Sequence, residues 1–271
     1  MTTFATDGFL SDEAQQLAAN ARADFADLYT LAYDCSMIAM EIAARLPSLE
    51  THEQVVAGSL FARAASQFQA AIILAERGMP LDAMTQARAL IETVFVLGAL
   101  ADRKVSLGQL ADSDLANRSK MGNALLPTAK KNEHGTRKLK QFVDEHARKS
   151  TISFHTFASA SGLLGLYDVF YRHLSHFAAH PSLTASGAHA RWEPSGELHA
   201  SLQLDFRATP RAVISACRSV LVAFVKLDPI VSASEDMRNR ILECNEREKV
   251  LYDKYRPWGA EASDEADAST S

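Results

Sequence analysis

Residues 171–182 read Tyr-Arg-His-Leu-Ser-His-Phe-Ala-Ala-His-Pro-Ser and set His173, His176 and His180 at i, i+3 and i+7 beside Arg172. An imidazole changes charge near neutral pH, so it can take or return a proton, and a neighbouring guanidinium can stabilise charge developing on a phosphate. Histidines one helical turn apart can also reach a common metal ion if a carboxylate completes the set. The third possibility is structural, with the imidazoles satisfied between packed helices and His180 with Ser182 shaping the turn that follows. On a helical projection at roughly 100° per residue the three histidines fall within an arc of about 60°. That arc lies beside Val169 and Phe177 on the expected core face, Arg172 falls on its flank, and Asp168, Tyr171 and Ser175 point the other way.

A second polar pair lies far upstream. Arg88 and Glu92 stand four residues apart in the most apolar stretch of the chain, where they are expected to form a buried ion pair. Removing one member of such a pair strands the other charge, at a cost of about 3–5 kcal/mol. Glu92 is also the carboxylate best placed to join the histidines in a metal site, although no His-Glu-x-x-His or paired Glu-x-x-His motif accompanies them, and no metal ligand set is assigned. No Gly-x-Ser-x-Gly elbow or Gly-rich phosphate loop is present, and no cofactor is implied.

The elements that must position these groups read as helices. Ser11-Asp-Glu caps a helix expected to run over 11–46, and Thr51-His-Glu-Gln54 has the capping-box form ahead of a helix to residue 76. Gly78 ends that helix and Pro80 opens the next, over 80–102, which is apolar nearly all round and therefore central. A more polar helix is expected within 104–132, and a basic cluster at 130–140 runs into another to residue 149, with a solvated face or a local anion or RNA contact as its readings. A helix over 153–180 follows, then a small β-hairpin within 183–207 in which Trp192 packs. Thr209-Pro210 signals a helix with Thr209 as N-cap, Asp228-Pro229 interrupts it, and a last helix spans 234–255. The fold class is mainly α, a bundle of about six to eight helices with one hairpin insertion. One domain is expected over 1–259, with the core on the helices at 53–76, 80–102, 153–180 and 210–227, and a disordered acidic tail at 260–271.

Composition limits the function classes. The 271 residues are 47 % hydrophobic and 23 % charged, as in an average soluble domain. The net charge of −5 argues against a generally basic nucleic-acid-binding surface but leaves room for a local patch. Cys35, Cys217 and Cys244 lie far apart with no metal-type spacing, which argues against a disulfide framework. No basic-then-apolar leader opens the chain and no apolar run approaches membrane-spanning length, so a cytoplasmic location without membrane attachment is expected.

An arginine followed by a histidine near the end of a helix, within an all-helical bundle, resembles the HEPN superfamily. More closely, Arg88 and Glu92 on a central helix, taken with Leu174-Ser175 and His180-Pro181-Ser182, are similar to a group of bacterial helical proteins forming a domain family of unknown function, over most of residues 55–228. The first resemblance implies RNA or a nucleotide as partner, a homodimer with a shared cleft, and a metal-independent endoribonuclease of a bacterial defence or toxin system. It assigns Arg172 to the phosphate and His176 or His180 to proton transfer, with Arg88, Glu92, His173 and Ser175 in support. HEPN proteins place four to six residues between Arg and His, whereas the histidines here follow Arg172 after none, three and seven. A non-enzymatic helical interaction or regulatory module, in which the same groups only specify packing, is the alternative, and a His/carboxylate metal-binding protein is the third.

Overall fold

A computed structural model of the chain describes residues 1–129, 133–187, 189–193 and 195–258, without the side chains of Glu133 and Trp192. The expectations for the tail at 260–271, for Lys130 and Lys131, and for the packing of Trp192 lie outside the described residues. The fold is mainly α with one two-stranded antiparallel sheet. The elements in order are α1 (Phe4–Asp7), α2 (Asp12–Asp24), α3 (Ala26–Ala43), α4 (His52–Glu76), α5 (Pro80–Ala101), α6 (Leu107–Leu125), α7 (Glu133–His146) and α8 (Phe154–Ala160). A composite helix over 164–179 follows, containing α9 (Leu164–Leu166) and α10 (Arg172–Leu174). The chain then forms α11 (Leu183–Gly187), β1 (Ala190–Trp192), β2 (Leu198–Ala200), α12 (Thr209–Val231) and α13 (Glu235–Tyr255).

The centre of the molecule is α5 with α4 and α12 packed along it. Met84, Leu90, Ile91, Val94, Phe95 and Leu97 of α5 are all fully buried, as its all-round apolar sequence requires. By length and composition α5 could cross a bilayer, contrary to the sequence expectation, but 67 % of its apolar window is buried inside the protein. Phe61 of α4 meets Phe224 of α12 with ring centroids 6.0 Å apart, which ties the two flanking helices together over α5.

Capping chemistry explains the helix starts. Thr51 Oγ1 accepts from the Gln54 amide at 3.2 Å while Gln54 Oε1 accepts from the Thr51 amide at 3.1 Å, so two amides with no partner inside the helix are satisfied. Thr51→Ala should cost about 1 kcal/mol, read as a lower urea midpoint with an unchanged denaturant slope. A wild-type midpoint would refute the assignment.

Four expectations are corrected. The helix expected over 11–46 is two, because Phe25 leaves helical geometry at φ −115° and ψ 38°. The helix expected over 153–180 breaks at Gly162, whose φ of +69° is the left-handed conformation that glycine adopts without a Cβ clash. Thr209 is not the N-cap of α12. Ala208 holds that place, and the Thr209 hydroxyl is buried without a hydrogen bond. Pro229 does not end α12, which runs on to Val231. In the last turn its missing N–H strands only the carbonyl of the exposed Val225, and Asp228 Oδ1 instead accepts from the Ala233 amide at 3.0 Å.

Candidate functional site

The site begins with the composite helix. Its segments Tyr167–Tyr171 and Ser175–Ala179 are π-helical, with i→i+5 hydrogen bonds that turn the chain less per residue than an α-helix. The side chains therefore sort into columns four residues apart. Leu166, Phe170 and Leu174 are buried, with Ala178 half-buried above them. Tyr167, Tyr171 and Ser175 lie on α5. Asp168, Arg172 and His176 form an exposed column, and Val169 and His173 are exposed beside it.

This corrects the helical projection, which assumed 100° per residue and put the histidines on the core face. Tyr171 and Ser175, expected to point away from that face, are the groups that meet Arg88. The Arg88 guanidinium donates from Nε to Ser175 Oγ at 2.8 Å and from Nη2 to Tyr171 Oη at 3.1 Å, and it lies 3.0 Å from Glu92 Oε1. Tyr171 in turn donates to Glu92 Oε1 at 3.2 Å, and Ser175 donates to the Tyr171 carbonyl at 2.7 Å. The expected ion pair is present, though each side chain keeps about a fifth of its surface, 22 % for Arg88 and 20 % for Glu92. Burial raises the Tyr171 phenol above its ordinary pKa despite the opposing charge of Arg88, so it stays a neutral donor. The Tyr171 ring also stacks on Tyr167 at 4.9 Å and lies under the Arg88 guanidinium at 5.0 Å. The network clamps a π-helical stretch to the central helix.

The predicted site residues separate into two groups. Arg88, Glu92 and Ser175 come together in that clamp. Arg172 lies on the surface, 3.1 Å from Asp168 and over the Tyr167 ring at 5.5 Å. His173 lies 2.5 Å through Nδ1 from the Val169 carbonyl and packs 4.9 Å from the Trp258 ring, so its direction is set by the end of the chain. His176 contacts Thr184 Oγ1 through Nε2 at 3.3 Å. His180 follows the helix in extended backbone and is exposed. The metal arrangement with Glu92 does not form, because Arg88 and Tyr171 engage that carboxylate; among the described residues no group of three or more His, Cys, Asp and Glu could hold an ion.

Thr184 connects His176 to a cleft of about 530 Å³. The first residues of α5 and of α12 line it together with the end of α13 and the segment after β2. Both helices bring their positive dipole ends there, a setting that favours an anion, although Pro80 and Pro210 have no N–H to offer and the Thr209 amide already donates to the Phe206 carbonyl at 3.1 Å. Arg207, Arg211, Arg256 and His189 add side-chain donors, against the carboxylates of Asp82 and Asp205. Arg207 grips Asp205 with two side-chain hydrogen bonds of 3.0 and 3.2 Å. Burial pushes the Asp205 carboxyl up, but the bonds from Arg207 outweigh it and hold the pKa below the ordinary range. Arg211 donates from Nε to the Pro257 carbonyl at 2.7 Å and lies 5.1 Å from the centroids of both Phe177 and Trp258. Arg256, at φ +41°, holds the left-handed position that ends α13, an uncommon backbone state for a residue other than glycine.

Sequence reasoning missed this cleft. The Gly-Met-Pro and Thr-Pro signals at residues 78–80 and 209–210 marked two helix starts, but nothing local shows that both starts face the same space.

A family model matches residues 54–197, a stretch that includes Arg88, Glu92, Tyr171, Ser175 and the three histidines but ends before Arg207, Arg211 and Arg256. No curated protein and no solved structure matches the chain. The matched stretch is more than half of the 271 residues, and the chain belongs to the family of unknown function DUF5677.

Proposed function

We propose that the protein binds RNA or a nucleotide, with the cleft between the starts of α5 and α12 taking a phosphate and its attached nucleoside. The observation that carries this reading is the convergence of two helix N-termini with Arg207, Arg211, Arg256 and His189 on a cavity of about 530 Å³. That size suits a nucleotide-sized ligand, and Phe177 and Tyr255 supply aromatic surface in the same cleft. Arg256 is exposed and ends its helix, so its removal tests the site without emptying the core. Titration calorimetry with adenosine 5′-monophosphate should show binding that Arg256→Ala weakens by about tenfold, the range of one charge-assisted hydrogen bond. No binding by the wild type, or equal binding by the variant, would refute it.

Metal-independent RNA cleavage is the second reading, favoured by the exposure of Arg172, His176 and His180 and by the contact of His176 with the cleft residue Thr184. A neutral imidazole there would accept the ribose 2′-hydroxyl proton as the 2′-oxygen attacks phosphorus and the 5′-oxygen leaves. Arg172 would reach the phosphate only by leaving Asp168. Cleavage of an RNA in EDTA by the wild type, lost in His176→Ala or His180→Ala, is the expected result. Absence of cleavage by all three proteins favours a binding module in which the Arg88 clamp serves structure alone.

A further inference from the structure

We infer that the α6–α7 hairpin is the surface on which this protein holds the phosphate backbone of single-stranded RNA, an assignment that rests on the RNA-binding reading above. The sequence between Arg103 and Lys149 contains eleven Lys and Arg against five Asp and Glu, a net of +6, while the remainder of the chain carries −11. Positive charge is therefore concentrated in one stretch of an otherwise acidic sequence, which the overall net charge of −5 conceals.

The tertiary structure makes this segment an arm. Ser113, Ala116, Ser119 and Gly122 form a buried stripe of small residues on α6, and α7 packs against that stripe. A Cβ at Gly122 would come within 3.1 Å of Val143 and Leu139, so the two helices are in close contact there. Ser119 Oγ donates to the Val143 carbonyl at 3.2 Å, closing the seam. The arm joins the body at its base, where Val105, Leu107, Leu110 and Ile152 pack on the main core. Its outer faces are left to solvent.

The cations on those faces are largely uncommitted. Arg118 pairs with Asp114 at 3.7 Å and Lys149 pairs with Asp112, whereas Arg137, Lys138 and Lys140 on α7, Arg148 just after it, and Arg103 and Lys104 just before α6 are exposed and have no ion pair among the described residues. A set of exposed cations spread over the arm matches a polyanion better than a single small anion, because each contact releases a condensed counterion and the gain adds along the strand. The cleft can take one nucleotide; the arm supplies what a longer chain needs.

The test is fluorescence anisotropy of the full chain with a labelled 20-nucleotide single-stranded RNA over a range of salt, beside calorimetry with adenosine 5′-monophosphate. Combining Arg137→Ala, Lys138→Ala and Lys140→Ala should weaken the RNA about 10- to 100-fold at low salt. It should also flatten the slope of log K against log salt by about 2, that is about 0.7 for each of three lost contacts. The mononucleotide should bind as before, and the charge-preserving set Arg137→Lys, Lys138→Arg and Lys140→Arg should keep RNA affinity. An alanine variant that binds RNA like the wild type overturns the assignment, as does a wild type that binds the mononucleotide but not the RNA, an outcome that leaves the cleft reading intact. RNA binding that depends on the arm without mononucleotide binding supports the arm and removes the cleft. Equal, arm-dependent binding to phosphatidylserine–phosphatidylcholine vesicles would overturn RNA as the specific partner.

Discussion

Arg218→Ala should destabilise the protein by about 3–5 kcal/mol at pH 8, the largest loss expected from any single polar substitution in this fold. Glu248 of α13 is 0 % exposed, and its partner Arg218 of α12 is the group that offsets its charge. The contact is an ion pair between Glu248 Oε2 and Arg218 Nη2, and neither carboxylate oxygen nor Arg218 Nε, all buried, has a hydrogen bond among the described residues. Burial is the dominant influence on Glu248 and raises its pKa in spite of Arg218. The sign of the pH dependence follows. The folded state prefers the protonated carboxyl, so this preference contributes fully below the ordinary carboxylate pKa and is lost as pH rises through the raised folded value. Without Arg218 the raising is unopposed, and the variant should lose more stability at pH 8 than at pH 5. The double variant Arg218→Ala, Glu248→Gln should recover most of the loss and show a weaker pH dependence, since no charge is then stranded. Urea unfolding of the wild type and both variants at the two pH values measures all six stabilities. A pH-independent loss, or no recovery in the double variant, would contradict this account.

The second large effect concerns the clamp on the π-helical stretch. Arg88→Ala leaves Glu92, Tyr171 Oη and Ser175 Oγ without the donor or charge that joins them. The expected cost is about 2–4 kcal/mol, below the fully buried case because water already reaches both ends of the ion pair. Arg88→Lys should restore only part of it: a single ammonium cannot reproduce donation from Nε to Ser175 and from Nη2 to Tyr171. The clamp holds the segment that carries His176 and His180, so hydrogen exchange across 164–179 should accelerate in Arg88→Ala while the centre of α12 keeps its protection. Unchanged stability together with unchanged exchange would show that the network is dispensable. Loss of stability with uniform exchange would place its effect on the whole core rather than on this segment.

The amino-acid sequence was enough to locate the main helices because local terms decide them. Thr51 and Gln54 satisfy each other within four residues, Gly78 and Pro80 act on their own backbone dihedrals, and an apolar pattern as complete as that of α5 leaves no polar face to expose. The Arg88–Glu92 pair was legible for the same reason, since both groups sit on one helix at one-turn spacing. That Trp258 packs against His173 and Phe177 was not legible, because nothing local joins residues some eighty positions apart.

Tertiary structure decided the rest. The face that the 164–179 helix turns inward depends on its π segments, and a helix with i→i+5 bonds accumulates a different angle than the α-helical step assumed from sequence. Over two turns that difference carries His176 to solvent and brings Tyr171 and Ser175 onto Arg88, while His180 is exposed because the chain leaves the helix at that residue. The buried Glu248 was hidden in a helix of mean amphipathic character, because burial of one carboxylate depends on where α12 lies and not on its neighbours in sequence. The cleft is the clearest case. Its arginines are separated along the chain from the start of α5 by more than a hundred residues, and only the packing of α5, α12 and α13 brings two helix starts and one helix end to the same space. Short-range terms thus determined which elements form, while the long-range docking of those elements determined which charges share a site.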